Sequence, residues 1–144
     1  MINLSGQVAV VTGANQGIGK GIARALAKEG CRVAICARNR EKLETTADEL
    51  RGEGAEVLAV VTDVSQEMSV VALFEAIDKQ YGRVDLLVNN AGAFDGGRLD
   101  ELSMDAWNNV IGACLTGTFL CSREAFKRMK TQGAGRILNI GSIS

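Results

Sequence analysis

Hydrophobic positions along the chain fall into five short apolar runs separated by longer segments with helical spacing. The runs are rich in valine, isoleucine, leucine and alanine, and they cover residues 7–11, 32–37, 56–61, 84–89 and 136–141. Continuous apolar runs of this length are typical of parallel strands that are covered on both faces. The alternation continues without a linker, a repeat or a low-complexity tract. It predicts five strands joined by right-handed helical crossovers.

Four segments between the runs have the apolar spacing of amphipathic helices. The first ends at Gly30, the second begins after Asn39 as N-cap, and the third lies between Ser65 as N-cap and Gly82. The fourth is predicted as one long helix over residues 103–129. The residues expected on the apolar sides are Ile18, Ile22, Ala25 and Leu26; Leu43, Ala47 and Leu50; Val70, Phe74, Ile77 and Tyr81; and Trp107, Val110, Ile111, Cys114, Phe119 and Phe126. The pattern predicts an α/β fold, a doubly wound, Rossmann-like parallel sheet with helices on both faces and the first strand central.

A glycine-rich segment, residues 12–19, connects the first predicted strand to the first predicted helix. Glycines let a backbone approach a ligand closely, and the free N–H groups of a helix N-terminus attract an anion. Glycine spacing alone would indicate only a tight turn, but the strand before it and the helix after it favour a nucleotide site. We therefore predict a dinucleotide pyrophosphate site formed by Gly13, Asn15, Gln16, Gly17, Ile18 and Gly19.

Composition narrows the class of function. A net charge of −1 argues against a nucleic-acid or membrane-surface partner, since both favour a basic stripe. The sequence has no apolar stretch near the ~20 residues of a membrane span and no signal pattern, which predicts a cytoplasmic protein. The four cysteines lack Cys-x-x-Cys spacing and the chain has no histidine. This predicts free thiols and no metal site, and it excludes hydrolase arrangements that need histidine.

Two positions after the second and third predicted strands are candidates for contact with the adenosine half of a dinucleotide. Arg38 lies where a carboxylate would bind the ribose hydroxyl in an NAD protein, and a guanidinium there can pair with a 2′-phosphate instead. This predicts that the cofactor is NADP, with NAD as the alternative. Arg38 could also be a solvated side chain without a ligand. Asp63 and Val64 could contact the adenine, or Asp63 could simply begin a turn. Gln16 stands before the second glycine, so a basic residue that often contacts the phosphate is missing there.

The segment Asn-Asn-Ala-Gly at residues 89–92 ends the fourth predicted strand. A turn alone would explain it, but together with the T-G-x-x-x-G-x-G arrangement of residues 12–19 it resembles the short-chain dehydrogenase/reductase superfamily. In that family the segment lines the cofactor cleft and stabilises the central sheet, which implies cofactor contacts at Asn90, Ala91 and Gly92. The resemblance covers essentially the whole chain. It implies one NAD(P)-binding Rossmann domain over residues 1–144, truncated because the family's C-terminal strands are missing.

The resemblance also implies catalytic positions. Ser142 matches the family serine that hydrogen-bonds the substrate carbonyl or hydroxyl, although a serine after a strand is usually a turn residue. Cys114 stands where the family has an asparagine that holds a water of the proton relay, and a thiol is a poor substitute. The family's Tyr-x-x-x-Lys pair has no match within residues 1–144, because Tyr81 is the only tyrosine and has no matching lysine.

The implied function is NAD(P)-dependent hydride transfer between nicotinamide and a small-molecule carbonyl or secondary alcohol, with NADPH favoured. The family also implies a homodimer or homotetramer. Without the Tyr and Lys pair, we expect these 144 residues alone to bind cofactor but not to turn over substrate. The alternatives are a nucleotide-binding or regulatory module, a structural partner that oligomerises through the fourth helix, and an unrelated Rossmann-type protein. The Asn-Asn-Ala-Gly segment argues against the last.

Overall fold

The computed structural model describes residues 3–143, and the sheet it contains has five parallel strands. The strands are β1 (Val8–Thr12), β2 (Arg32–Ala37), β3 (Val57–Val61), β4 (Leu86–Asn89) and β5 (Arg136–Asn139). Their order across the sheet is β3-β2-β1-β4-β5, so β1 is central. The predicted doubly wound fold is confirmed. Successive strands are placed on one side of β1 as far as β3 and on its other side from β4 onward. The carboxyl end of β1 therefore lies at the point where the strand order reverses.

Helices cover both faces of the sheet. They are α1 (Gly17–Lys28), α2 (Arg40–Gly52), α3 (Glu67–Tyr81), α4 (Met104–Ile111) and α5 (Gly117–Gln132), with a π-helical segment (Gly112–Thr116) between the last two. Alternate residues of β1 separate the core into two layers. Val8 and Val10 pack in the layer that includes α3 and α5, whereas Ala9 and Val11 pack in the layer that includes α1 and α2. No helix within residues 3–143 is long and apolar enough to cross a membrane.

The prediction of the fourth helix is wrong in two respects: the helix is not continuous, and a different side of it is buried. The π-helical segment divides it, and the predicted core residues Trp107, Phe119 and Phe126 are 51%, 57% and 60% exposed. The buried side of α5 instead consists of Gly117, Leu120, Cys121, Glu124, Ala125 and Met129. A Cβ at Gly117 would lie 2.5 Å from the Val64 side chain. Small residues therefore determine which side packs, because they allow the helix to approach the core closely.

Two further helix predictions need correction. In α1 the predicted residues Ile18 and Ala25 are exposed, whereas Gly19 and Ala23 are buried. The reason is again close packing, since a Cβ at Gly19 would overlap the Gly13 carbonyl and the Asn90 side chain. The N-cap of α3 is Gln66 rather than Ser65. Asn39 does cap α2, because its Oδ1 accepts a hydrogen bond from the backbone N–H of Lys42 at 2.9 Å.

Candidate cofactor-binding site

The glycine turn after β1 packs tightly on one side and is open on the other. Gly13 and Gly17 have φ values of 63° and 54°, in the left-handed region that favours glycine. A Cβ at Gly13 would lie 2.8 Å from the Ala91 Cα, and one at Gly19 would overlap the Gly13 carbonyl and the Asn90 side chain. A Cβ at Gly17 would meet nothing within 4 Å. The turn is thus held against residues 90–91 from behind, while its outer side leaves room for a phosphate at the start of α1.

Thr12 and Asn90 connect the glycine turn to the end of β4. The Thr12 hydroxyl accepts hydrogen bonds from the backbone N–H groups of Asn90, at 3.0 Å, and Ala91, at 2.8 Å. In return, the Asn90 amide donates to the backbone carbonyls of Thr12 and Gly13, both at 3.1 Å. These reciprocal bonds satisfy buried polar groups on both segments. They fix the position of the turn relative to the Asn-Asn-Ala-Gly segment.

A cleft of about 570 Å³ opens at the carboxyl edge of the sheet. The predicted site residues that line it are Gly13, Asn15, Gln16, Arg38, Asp63, Val64, Ala91 and Gly92. The predicted residues outside its lining are Gly17, Ile18, Gly19, Asn90, Cys114 and Ser142. The loops after β1, β2, β3 and β4 therefore meet at one cleft, as expected for parallel strands whose carboxyl ends share an edge.

Arg38 lines the cleft, and no carboxylate among residues 3–143 forms an ion pair with it. It directly follows β2, is exposed, and makes no ion pair or side-chain hydrogen bond with any residue of the range 3–143. Some other basic residues are paired with a carboxylate, for example Arg24 with Glu53 at 3.0 Å. A guanidinium on the cleft with free donors can accept an anionic group of a ligand.

Asp63 makes the contacts of a turn residue. Its Oδ1 accepts hydrogen bonds from the backbone N–H of Ser65 at 3.0 Å and from the Ser65 hydroxyl at 2.6 Å. Its own backbone N–H donates to the Ser69 hydroxyl at 2.9 Å. This explains why Ser65 does not cap α3, since its hydroxyl is bonded to Asp63. Contact between Asp63 and an adenine stays a prediction.

Cys114 and Ser142 lie near the same edge of the sheet, but beyond the cleft. Cys114 is in the π-helical segment, is exposed, and donates from Sγ to the Ala93 carbonyl at 3.7 Å. Ser142 is exposed and follows β5, which pairs with β4 so that Asn139 lies opposite Asn89. The structure therefore places both positions at the carboxyl ends of β4 and β5. A π-helical segment within a helix is frequent at functional sites.

Several residues that sequence reasoning missed support or line the site. The buried Asn89 amide donates to the Ser122 hydroxyl at 3.0 Å and to Asn139 Oδ1 at 2.9 Å, which joins β4 to α5 and β5. Asn108 and Asn109 of α4 line the cleft. The doubled asparagine at 89–90 was a usable signal for the first contact. No local pattern places α4 beside the cleft, because that contact joins elements distant in the sequence.

The other chemically reactive side chains are unsuited to acid–base work at the cleft. The Tyr81 ring lies under Arg32, 5.3 Å from the guanidinium carbon, at the amino end of β2 and opposite the cleft. Burial raises the pKa of Tyr81, which is the wrong direction for a general acid near neutral pH. Burial also raises the pKa of the Cys36 thiol and raises that of Cys121 to about 12, so both stay protonated.

The parallel sheet with a glycine turn at the carboxyl end of its central strand defines a Rossmann-like α/β protein. The family model described as short chain dehydrogenase matches residues 7–144, and the chain belongs to this family of oxidoreductases. A putative ketoacyl reductase of Streptomyces coelicolor is 45% identical over 144 residues, which cover 99% of this chain and 55% of that protein.

Solved structures show the same similarity. A variant of actinorhodin polyketide ketoreductase with NADPH has a TM-score of 0.93 and 45% identity, and the match covers 99% of this chain and 55% of that one. A short-chain dehydrogenase/reductase from Burkholderia phymatum in complex with NAD has a TM-score of 0.96 and 38% identity, over 99% of this chain and 51% of that one. The chain thus spans about half the length of these proteins.

Proposed function

We propose that this chain binds a nicotinamide dinucleotide in the cleft at the carboxyl edge of the sheet, with NADPH preferred over NADH. The observation that supports the preference is Arg38, an exposed guanidinium on the cleft without a partner among the described residues. Neither Ala37, at the end of β2, nor Arg38 carries a carboxylate, so a ribose 2′-hydroxyl lacks its usual acceptor there.

The residues present fit such a cofactor. The pyrophosphate would lie on the outer side of the glycine turn, where Gly17 leaves open space and the N-terminus of α1 begins. Arg38 would contact the 2′-phosphate, and Asp63 with Val64 would lie beside the adenine. Ala91 and Gly92 would line the path toward the nicotinamide, where small residues let a ring approach the backbone. Gly19 and Asn90 would act from behind the turn by holding its shape.

For the whole protein we propose hydride transfer between the nicotinamide and a carbonyl or secondary alcohol of a small molecule. When bound, the dinucleotide supplies the hydride donor or acceptor. Ser142 would donate or accept a hydrogen bond at the substrate oxygen and so orient it. The two ketoreductase relatives support a carbonyl substrate. We assign the proton step to no residue of this chain, because Tyr81 faces the opposite edge of the sheet.

The test of cofactor preference is a parallel titration of NADPH and NADH with the unchanged chain and with Arg38→Gln. We expect NADPH binding to weaken about 10- to 100-fold, which corresponds to the 1.5–3 kcal/mol of a hydrogen bond to a charged group, while NADH binding changes little. Arg40→Gln is the matched control, because Arg40 is exposed on the same stretch but lies outside the cleft lining. Tighter NADH binding that Arg38→Gln leaves unchanged would contradict the proposal.

We also propose that the chain self-associates through α4 and α5. The observation is an apolar surface on these elements, where Trp107, Leu115, Phe119 and Phe126 are 51%, 63%, 57% and 60% exposed. Phe119 is one helical turn from Leu115 and two turns from Phe126, so the three side chains lie along one side. Contiguous exposed apolar side chains are characteristic of protein–protein interfaces.

A further inference from the structure

Lys42, in the first turn of α2, reaches across to the glycine turn. Its Nζ lies 3.4 Å from the side-chain carbonyl oxygen of Gln16, and both side chains are exposed. Gln16 lines the cofactor cleft together with Arg38 and Asn39. The contact therefore places the Lys42 ammonium group beside Gln16, a residue of the same cleft lining that includes Arg38.

The surroundings leave Lys42 available for an anion. A hollow of about 280 Å³ adjoins the cleft, and Lys20, Lys42, Glu41 and Asn39 are among its lining residues. Lys20 is neutralised by Glu49 at 2.5 Å, whereas Lys42 forms no ion pair with any residue in the described part of the chain, including Glu41. Gln16 offers Lys42 only a neutral oxygen, which leaves the charge of the ammonium uncompensated.

The charge around this point is locally positive in a chain that is slightly acidic. Residues 38–42 contain Arg38, Arg40 and Lys42 against the single carboxylate of Glu41, which is a net charge of +2, whereas the whole chain has −1. A phosphate monoester has about −1.5 to −2 charges at neutral pH, so one guanidinium leaves it partly uncompensated. A second cation within reach of the same group would complete the neutralisation.

We propose that Lys42 is a second ligand of the 2′-phosphate, positioned by Gln16, and thus a determinant of NADP specificity. Position 16 lacks a basic side chain, and here the missing cation comes from α2 instead. The lysine ammonium has three N–H donors on a flexible four-carbon stem, so it can keep its contact with Gln16 and also donate to a phosphate oxygen without movement of the backbone. This inference rests on the proposed binding of an NADP-type dinucleotide with Arg38 at its 2′-phosphate.

Two small probes isolate the contribution of the 2′-phosphate. Binding of 2′,5′-ADP and of 5′-AMP to the chain is measured by calorimetry for Lys42→Gln, Gln16→Ala and the double variant. Lys42→Gln should weaken 2′,5′-ADP about 3- to 10-fold and leave 5′-AMP unchanged, and high salt should reduce the difference. Gln16→Ala should weaken 2′,5′-ADP less. The two losses should not add, since they affect one interaction.

The controls separate this inference from the proposal on which it rests. Lys130→Gln removes an exposed lysine from α5, outside the cleft, and should change neither affinity. Lys42→Gln that weakens both probes equally, or neither, would overturn the role of Lys42. If Arg38→Gln still weakens 2′,5′-ADP alone in that case, the proposed NADP preference stands. If Arg38→Gln also fails to distinguish the probes, the preference is wrong, and the inference about Lys42 with it.

Discussion

The two halves of the sheet differ sharply in how completely they are covered. The cofactor half comprises β1, β2, β3 and β4 with α1, α2 and α3, and the open half comprises β5 with α4, the π-helical segment and α5. Every residue of β1 is buried, whereas three of the four residues of β5 are exposed, including Leu138 at 51%. The apolar surface of α5 is likewise exposed. The cofactor half is therefore stabilised within this chain, whereas the open half presents apolar surface.

The same contrast holds for the functional residues. The glycine turn is held in position by reciprocal hydrogen bonds between Thr12 and Asn90. Cys114 and Ser142, which the family resemblance associates with the substrate, are exposed and lie outside the cleft lining. Substitutions in the cofactor half should change stability and binding, and those in the open half should change association.

The largest effect is expected where the turn is most tightly packed. Gly19→Ala would bring a methyl group into the Gly13 carbonyl and the Asn90 side chain. Overpacking of this kind costs about 1–3 kcal/mol, and displacement of the turn should weaken NADPH binding about tenfold or more. Urea denaturation and cofactor titration measure the two effects.

Gly21→Ala is the matched control for that substitution. Gly21 also lies in α1, but a Cβ there meets nothing within 4 Å. We expect stability to rise by up to about 1 kcal/mol, because alanine has the higher helix propensity, with NADPH affinity unchanged. Equal behaviour of the two variants would show that the close contacts at Gly19 do not shape the site.

An intermediate effect is expected from removal of the Thr12 hydroxyl. Thr12→Val keeps the side-chain shape but leaves the N–H groups of Asn90 and Ala91 without their acceptor. The free energy of unfolding should fall by about 2 kcal/mol, since an unsatisfied buried donor costs about 1–3 kcal/mol. Thr45→Val, at an exposed position of α2, should change it by less than about 0.5 kcal/mol. If both threonine variants unfold at the same urea concentration, the Thr12 bonds do not stabilise the turn.

The smallest effect on stability per substituted residue, and the one that tests the open half, is expected at the apolar surface of α5. The double substitution Phe119→Ser with Phe126→Ser should lower the free energy of unfolding of the monomer by only about 1 kcal/mol per ring, because both rings are more than half exposed, at 57% and 60%. It should lower self-association in sedimentation velocity. Leu99→Ser, at a 91% exposed position outside the helices, is the control. Unchanged association of the double variant would contradict the proposed interface.

Much of the fold and the position of the cleft could be predicted from the sequence, because the relevant signals are local. The five apolar runs correspond to the five strands, with errors only at their ends, and the glycine turn lies where the strand–turn–helix pattern places it. The buried sides of α1 and α5 could not be predicted by hydrophobicity. There, Gly19 and Gly117 pack against backbone or core atoms that are distant in the sequence. The bond between Asp63 and Ser65 is local, but it competes with helix capping, and the sequence does not reveal which prevails.

By itself, the amino-acid sequence determined the strand–helix alternation, the glycine turn with its helix N-terminus, and the family, since each depends on residue types at short spacing. The tertiary structure decided the rest. It brought the ends of four strands to one cleft, joined Thr12 to Asn90, set Lys42 beside Gln16, and turned the aromatic side of α5 outward. These outcomes depend on which surfaces approach closely in the folded chain, and close approach is a property of packing between distant segments rather than of any segment alone.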